Sequence, residues 1–294
     1  MNKVGFIGVG IMGKSMVRNL MKAGFELHIY ARTKSKVEDV ISEGAQFHES
    51  IKDCVQDCDA VITIVGFPQD VEEVYFDEGN ILDSAKEGAY LIDMTTTSPQ
   101  IAEKIYAEGT KRGFHVMDAP VTGGDTGAKA GTLSILVGGE KEDYEACMPL
   151  FEAMGTNINY QGKAGCGQHC KLANQIMIAG ILSGVCEALT YAKEQGLDPE
   201  VFMKSVATGA AGSKQLDTFG PKILKDDYAP GFFMKHFIKD MKLALIEANR
   251  KGLSLDVLSM VLANYEELEQ EGYGDLGTQA LMKFYDEEHR NTEE

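Results

Sequence analysis

The sequence lacks the long apolar run that a membrane-spanning helix requires. Glycine or charged residues interrupt its apolar stretches before they reach roughly 18 to 20 residues, the length that a membrane span needs. A secretory signal is also missing, because Met1 to Phe6 leads directly into a short strand-like run rather than a charged segment and a long apolar core. We therefore expect no membrane segment and a cytoplasmic location.

Basic residues are in the minority, and the cysteines show no metal-site spacing. The chain has 28 Lys and Arg against 45 Asp and Glu, a formal net charge of -17. This charge repels nucleic acids and anionic membranes, so we expect neither as a partner. The cluster of Cys166, His169 and Cys170 offers two thiols and one imidazole without the further ligands that zinc requires. We expect no metal, and free thiols as in a reducing cytoplasm.

The composition is that of a globular protein with two domains. The chain has 294 residues, of which 44% are hydrophobic and 25% charged. In its first half, short β-rich runs alternate with amphipathic helical stretches, which is the pattern of a parallel sheet covered by helices on both faces. The predicted strands are 3–7, 26–30, 60–64, 89–93, 115–119 and 133–138, with a short one at 157–160.

The second half has helical periodicity. After Gly162 the β-rich runs stop, and helices are predicted at 171–195, 199–208 and 239–251. We therefore expect an α/β doubly wound sheet over residues 1–163 and an all-helical domain over 164–294. The polar, acidic segment 286–294 is expected to fray.

A glycine-rich turn follows the first predicted strand and leads into a helix at 14–23. Gly8 permits a tight turn, Gly10 lets the backbone approach a pyrophosphate, and Gly13 allows close helix packing. The helix N-terminus supplies amides and a partial positive charge. The motif in this context predicts dinucleotide binding, and a merely structural turn is the alternative. The candidate cofactor residues here are Gly8, Val9, Gly10, Ile11, Met12 and Gly13.

The end of the second predicted strand bears on the choice between NAD and NADP. NAD-preferring proteins of this type carry an acidic residue there to hold the ribose 2′-hydroxyl. This chain has Arg32 and Thr33, and no carboxylate, in that segment. Arg32 can pair with a 2′-phosphate with help from Thr33, so NADP is favoured. A solvated loop is the alternative, and it leaves NAD open.

A second candidate site follows the strand predicted at 115–119. Parallel strands bring their carboxyl ends to the edge of an open α/β sheet where ligands bind. The amides of Gly123 and Gly124 and the hydroxyl of Thr122 suit a carboxylate, although an ordinary strand-to-turn transition would have the same residues.

Lysines supply the candidate proton-transfer groups. Lys171 and Asn174 lie three residues apart, on one face of a helix that begins in a glycine-rich turn. A lysine whose charge is opposed by burial or by another cation exchanges protons near neutral pH. Lys239 is a second such candidate, and simple solvation is the alternative for both lysines.

Four blocks in this order resemble the β-hydroxyacid dehydrogenase family, which includes 3-hydroxyisobutyrate dehydrogenase, tartronate semialdehyde reductase and glyoxylate/succinic semialdehyde reductase. The blocks are 5–13, 118–124, 165–174, where a spacing like GxGxxxKxxxN is shortened to KxxN, and Lys239-Asp240. The resemblance covers nearly the whole chain. The chain departs from the family at Val65-Gly66, where relatives usually carry Leu-Pro. It also departs at Thr122, where many carry Ser.

The resemblance implies hydride transfer between NADP or NAD and a short 3-hydroxy acid or its semialdehyde. It implies that Lys171 is the catalytic acid/base, and that Lys239 lies near the nicotinamide and the substrate. It implies a Rossmann-type NAD(P)-binding domain over 1–163, a domain for substrate binding and oligomerisation over 164–294, and a homodimer or homotetramer. The implied substrate residues include Thr122, Gly123, Gly124 and Asn174, and the implied cofactor residues include Val65, Gly66, Thr96, Lys239 and Asp240.

Two alternatives from other classes remain open. One is an imine-reducing or phosphogluconate-type enzyme on the same scaffold. Lys171 argues against an imine reductase, and the absence of a much longer helical domain argues against phosphogluconate chemistry. The other is a non-catalytic module that senses NADP, which would have no use for Lys171, Asn174 and Lys239 together. Lys214 lies in a segment where relatives select substrates, and its partner is not identified from the sequence.

Overall fold

The computed structural model describes residues 1–285. The segment 286–294, which the sequence predicts to fray, lies outside the described residues. The chain divides into two compact units, Met1–Lys171 and a second unit that begins at Leu172. The first unit contains a mixed β-sheet. Its strands are β1 (Lys3–Ile7), β2 (Glu26–Tyr30), β3 (Gln46–His48), β4 (Ala60–Thr63), β5 (Tyr90–Asp93), β6 (His115–Asp118), β7 (Val121–Thr122), β8 (Leu133–Gly138) and β9 (Gly155–Gly162).

The strand order identifies a doubly wound sheet. The order is β3-β2-β1-β4-β5-β6-β8-β7, with β9 paired to β8, and the first six strands are parallel. The chain leaves β1 toward β2 on one side and returns to β4 on the other. The loops after β1 and β4 therefore diverge at the point where ligands of open α/β sheets bind. The expected fold class is confirmed.

The last strands differ from the parallel pattern that the sequence predicts. β8 runs antiparallel to both β6 and β7. The helix between β7 and β8 has seven residues, or about 10 Å of rise, whereas β8 is about 20 Å long. This helix is too short to carry the chain back to the start of the sheet, so β8 returns in the opposite direction. β3 and β7, of three and two residues, were not predicted.

Helices cover both faces of the sheet. Val4 and Phe6 of β1 belong to one apolar core, and Ile7 belongs to the other, as the alternation of side chains along a strand requires. The helices of this unit are α1 (Ile11–Lys22), α2 (Glu38–Ser42), α3 (Ile51–Val55), α4 (Pro68–Phe76), α5 (Ile81–Ser84), α6 (Pro99–Lys111), α7 (Gly124–Ala130), α8 (Lys141–Ala146) and α9 (Met148–Met154). A 3₁₀ turn at Lys34–Lys36 follows β2.

The described part of the second unit is helical, as predicted. Its helices are α10 (Cys166–Glu194), which begins in the first unit, α11 (Pro199–Val206), α12 (Lys214–Ile223), α13 (Met234–Arg250) and α14 (Asp256–Gln270), with 3₁₀ helices at Tyr273–Asp275 and Thr278–Tyr285. α12 and α14 were not predicted. Lys214 is the exposed first residue of α12, whose N-terminus is capped by the Ser213 hydroxyl.

α10 differs from the expectation that apolar runs stay short. Its 29 residues are long and apolar enough to cross a membrane by length and composition. The same test is passed by core helices of proteins that never enter a membrane. α10 contributes Leu172, Leu182 and Leu189 to the apolar core of the second unit, whereas Met177, Ile181 and Tyr191 of the same helix are exposed.

Candidate functional site

The glycine turn between β1 and α1 has the geometry of a dinucleotide-binding loop. Gly8 has a φ of +99°, and a Cβ there would overlap the carbonyl group of Ile64. A Cβ on Gly13 would overlap the carbonyl oxygen of Gly8, which explains the close approach of α1. A Cβ on Gly10 would meet no atom within 4 Å. The fold itself requires glycine at positions 8 and 13. Gly10 borders open space, and the turn therefore fits a pyrophosphate that approaches the backbone at Gly10.

Arg32 follows β2 and is held by carboxylates that the sequence analysis did not connect with it. Its Nη2 donates to Asp70 Oδ1 at 2.7 Å and to Glu73 Oε2 at 2.9 Å, both on α4. The other oxygen of Asp70 accepts the N–H of Phe67 at 2.9 Å and so caps α4. Thr33 is exposed next to Arg32. The cation predicted to bind a 2′-phosphate is therefore already paired.

Hydrogen bonds join the loops that follow β4 and β5. The N–H of Val65 donates to the Thr95 hydroxyl at 3.0 Å, and the Thr63 hydroxyl donates to Asp93 Oδ1 at 2.8 Å. Asp93 is fully buried, and this burial raises the pKa of its carboxyl to about 6. Thr96 is half-buried in the same loop as Thr95. Val65, Gly66 and Thr96 thus lie in loops at the carboxyl edge of the sheet.

The segment after β6 contains the predicted carboxylate-binding residues. Thr122 ends the two-residue strand β7 and is half-buried. Gly123 and Gly124 follow with φ values of +130° and +65°, and Gly124 begins α7. This left-handed backbone is why glycines occupy both positions.

The first turn of α10 lies against the carboxyl ends of β5 and β6. Asp118, the last residue of β6, accepts the N–H of Gly165 at 2.7 Å and the N–H of Gln168 at 2.8 Å. Burial raises the pKa of Asp118, and these two donors oppose the rise. The Gln168 side chain bonds to the backbone of the loop after β5. Lys171, only 7% exposed, follows one turn later.

Asn174, Lys239 and Asp240 are connected in the second unit through a residue that the sequence analysis did not select. The Asn174 amide donates to Gln175 Oε1 at 2.9 Å, and Gln175 Nε2 donates to Asp240 Oδ2 at 2.7 Å. Lys239 Nζ lies 3.0 Å from Asp240 Oδ1. Asp240 is 1% exposed, so its carboxylate is enclosed by these contacts. The buried carboxylate of Asp240 thereby fixes Lys239 directly and Asn174 through Gln175.

Sequence reasoning missed four buried polar residues at these sites. They are Asp93, Thr95, Gln168 and Gln175. None belongs to a spacing pattern that marks a site, and each acts through a partner distant in sequence. Within residues 1–285, no group of three or more His, Cys, Asp or Glu side chains is arranged to hold a metal ion.

Comparisons with known families match both halves of the chain. Residues 3–162 match the NAD binding domain of 6-phosphogluconate dehydrogenase. Residues 165–285 match the NAD-binding domain of NADP-dependent 3-hydroxyisobutyrate dehydrogenase. These matches show that the chain contains an NAD(P)-binding domain.

Characterised and uncharacterised relatives cover most of the chain. An uncharacterised oxidoreductase of Bacillus subtilis is 49% identical over 96% of this chain and 98% of its own. The NAD-dependent L-serine dehydrogenase of Pseudomonas aeruginosa is 34% identical over 97% of this chain and 98% of its own. The 2-hydroxy-3-oxopropionate reductase of Escherichia coli is 37% identical over 86% of both chains.

A solved structure is also similar to nearly the whole chain. A 3-hydroxyisobutyrate dehydrogenase of Mycobacterium tuberculosis, solved with L-serine, has a TM-score of 0.88 and 26% identity, covering 96% of this chain and 98% of its own. The glycine turn, the strand order and the two family matches agree with this similarity. The chain therefore belongs to the β-hydroxyacid dehydrogenase family of nicotinamide-dependent oxidoreductases.

Proposed function

We propose that this protein interconverts a short 3-hydroxy acid and its semialdehyde, with Lys171 as the general acid/base. The nicotinamide cofactor, when bound, supplies or accepts the hydride. Lys171 takes the hydroxyl proton during oxidation and returns it during reduction. Residues 1–163 are proposed to bind the cofactor, and residues 164–294 are proposed to bind the substrate and form the oligomer.

The position of Lys171 carries this proposal. The lysine is buried, and it lies one helical turn after a residue that bonds to the loop following β5. The glycine turn after β1 opens at the same edge of the sheet. A proton-transfer group at this edge, enclosed by protein rather than solvated, is what hydroxyl oxidation beside a dinucleotide requires.

The predicted substrate residues suit a small carboxylate. Thr122, Gly123 and Gly124 are proposed to bind the carboxylate through a hydroxyl and amides. Asn174 is three residues after Lys171 on α10, so one helix would supply both the proton-transfer group and an amide for the reacting oxygen. Lys239 is proposed to add positive charge, with Asp240 orienting it.

A substrate panel tests the proposal. Wild type and Lys171→Ala are assayed with NADPH and NADH against glyoxylate, succinic semialdehyde, methylmalonate semialdehyde and tartronate semialdehyde, and with L-serine in the oxidative direction. We expect turnover with at least one substrate and a loss of about 10²- to 10⁴-fold in kcat in the variant, the usual contribution of general acid/base catalysis. Unchanged kcat in the variant would remove Lys171 from the mechanism.

The panel also separates the proposed enzyme from an NADP-sensing module. A sensor would bind the cofactor tightly and turn over none of these substrates. Cofactor binding is measured directly from NADPH fluorescence, so absence of turnover is not confused with a misfolded protein. An imine reductase would reduce cyclic imines and leave the carbonyl panel untouched.

NADP is the proposed cofactor, with Arg32 as the 2′-phosphate ligand. The pairing of Arg32 with Asp70 and Glu73 means that a phosphate must compete with two carboxylates for the guanidinium. We therefore expect a modest preference for NADPH over NADH. A cytoplasmic location and a homodimer or homotetramer stay predictions from the sequence and its resemblance.

A further inference from the structure

Asp118 supplies a cap for α10 from a distant part of the chain. The first N–H groups of a helix have no partner within the helix, and a nearby Ser, Thr, Asp or Asn usually satisfies them. At α10 the carboxylate of Asp118 accepts from Gly165 at 2.7 Å through Oδ1 and from Gln168 at 2.8 Å through Oδ2. Both carboxylate oxygens therefore hold the start of the helix to the end of β6.

Gln168 makes a second connection, to the loop after β5. Its Oε1 accepts the N–H of Thr97 at 3.0 Å, and its Nε2 donates to the carbonyl of Thr95 at 2.7 Å. The residue has no exposed surface. A buried amide with both ends paired fixes orientation, because any other rotamer leaves buried polar groups without partners.

The backbone of α10 approaches the sheet too closely for a side chain. A Cβ on Gly167 would lie 2.8 Å from Asp118 Oδ2 and would overlap the carbonyl oxygen of Leu136. A Cβ on Gly138 would lie 2.6 Å from Asp118 Oδ1. The first turn of α10 is thus packed directly against β6 and β8.

We propose that Asp118 and Gln168, together called the helix anchor, are positioning residues that fix Lys171 for proton transfer. Lys171 is three residues after Gln168, so a shift of the first turn moves the amine with it. A displacement of about 1 Å can cost 10²-fold in rate. The inference rests on the proposed function, in which Lys171 is the acid/base.

Kinetics of anchor variants test the positioning role. Gln168→Met keeps a similar volume and loses both hydrogen bonds, whereas Asp118→Asn keeps one acceptor. The matched control is Asp143→Asn, because Asp143 is also a buried acid, bonded at 2.7 Å to His115 at the opposite end of β6. We expect kcat to fall about 10- to 100-fold in Gln168→Met, less in Asp118→Asn, and to stay within about twofold in the control.

A double-mutant cycle shows whether Gln168 acts through Lys171. In the Lys171→Ala background, Gln168→Met should change the residual rate by less than about twofold, because the group being positioned is gone. An equal loss in both backgrounds would overturn the inference, as would wild-type kcat in the Gln168→Met single variant. Cofactor dissociation constants should stay unchanged, which separates positioning from loss of the cofactor site.

Hydrogen exchange tests the anchor without an assay of activity. The peptide spanning 165–171 should exchange several-fold faster in both anchor variants than in wild type, and at the wild-type rate in Asp143→Asn. Unchanged exchange in the anchor variants would overturn the inference. Full activity of Lys171→Ala would instead overturn the proposed function, while the exchange measurement would still decide whether the anchor holds α10.

Discussion

The buried carboxyl of Asp93 predicts a defined dependence of stability on pH. Asp93 ends β5, and its Oδ1 accepts from the Thr63 hydroxyl and from the N–H of Thr95. Its other oxygen has no hydrogen-bond partner among residues 1–285. Burial raises the pKa from the ordinary 3.8 to about 6, since the charged form has lost its water. The folded state therefore holds this proton more tightly than the unfolded state does.

The sign and size of the effect follow from that difference in pKa. Between pH 4 and 6 the folded state binds more protons at Asp93 than the unfolded state, so stability falls as pH rises. The full difference of about 2.2 units corresponds to about 3 kcal/mol in the free energy of unfolding. About 1.3 kcal/mol of this change develops between pH 5 and 7.

Asp93→Asn removes the titration and keeps the accepting oxygen. The free energy of unfolding is measured by urea titration for variant and wild type at several values between pH 5 and 7.5. We expect the difference, variant minus wild type, to rise by about 1.3 kcal/mol from pH 5 to 7. Taking the difference cancels the other acidic groups of this strongly acidic chain.

Asp59 provides a control of opposite sign. Its pKa is lowered by the Lys86 ammonium and the N–H of Asn2, so its contribution to stability is present above pH 4 and lost as pH falls further. Asp59→Asn should therefore become relatively less stable as pH rises from 3 to 6. If the Asp93→Asn difference stays flat between pH 5 and 7, the carboxyl is not desolvated in the way described.

Three further predictions concern the cofactor loop, cofactor choice and assembly. Gly10→Ala should keep wild-type stability, since its Cβ meets only open space, and should weaken cofactor binding more than tenfold. Gly13→Ala should lose about 1–3 kcal/mol of stability. Equal thermal stability of the two variants would contradict this prediction. Glu73→Gln should release Arg32 and so tighten NADPH binding about two- to fivefold, while NADH binding stays unaffected. Glu72→Gln is the control, because Glu72 pairs with Lys104 instead. No change in the NADPH dissociation constant of Glu73→Gln would show that Arg32 does not bind the phosphate. Light scattering after size exclusion should show two or four copies, and a species of 32.1 kDa alone would reject the oligomer.

Local pattern predicted the longer strands of the first unit well. The runs at 3–7, 26–30 and 133–138 are strands with the predicted bounds, because alternation and β-branched composition are properties of neighbouring residues. The glycine spacing predicted the loop after β1 for the same reason. β3 and β7 were missed because strands of two or three residues have no period to detect.

The start of α10 shows where local pattern fails. The sequence predicts a helix from 171, but the helix begins at Cys166. No residue just before Cys166 acts as an ordinary cap, since the segment there is glycine-rich. The cap is Asp118, 47 residues away from Gly165, and it becomes a cap only once β6 is paired in the sheet. Such contacts depend on distances in space that sequence spacing does not encode.

The sequence by itself determined the family, the order of elements and the glycine turn, all of which depend on short-range geometry and motif order. Tertiary structure decided which charges meet. It paired Arg32 with Asp70 and Glu73 across 38 and 41 residues, and it joined Asn174 to Asp240 through Gln175. The physical reason is that backbone conformation follows from neighbours along the chain, whereas the partner of a charge is set by the fold that brings it within hydrogen-bonding distance.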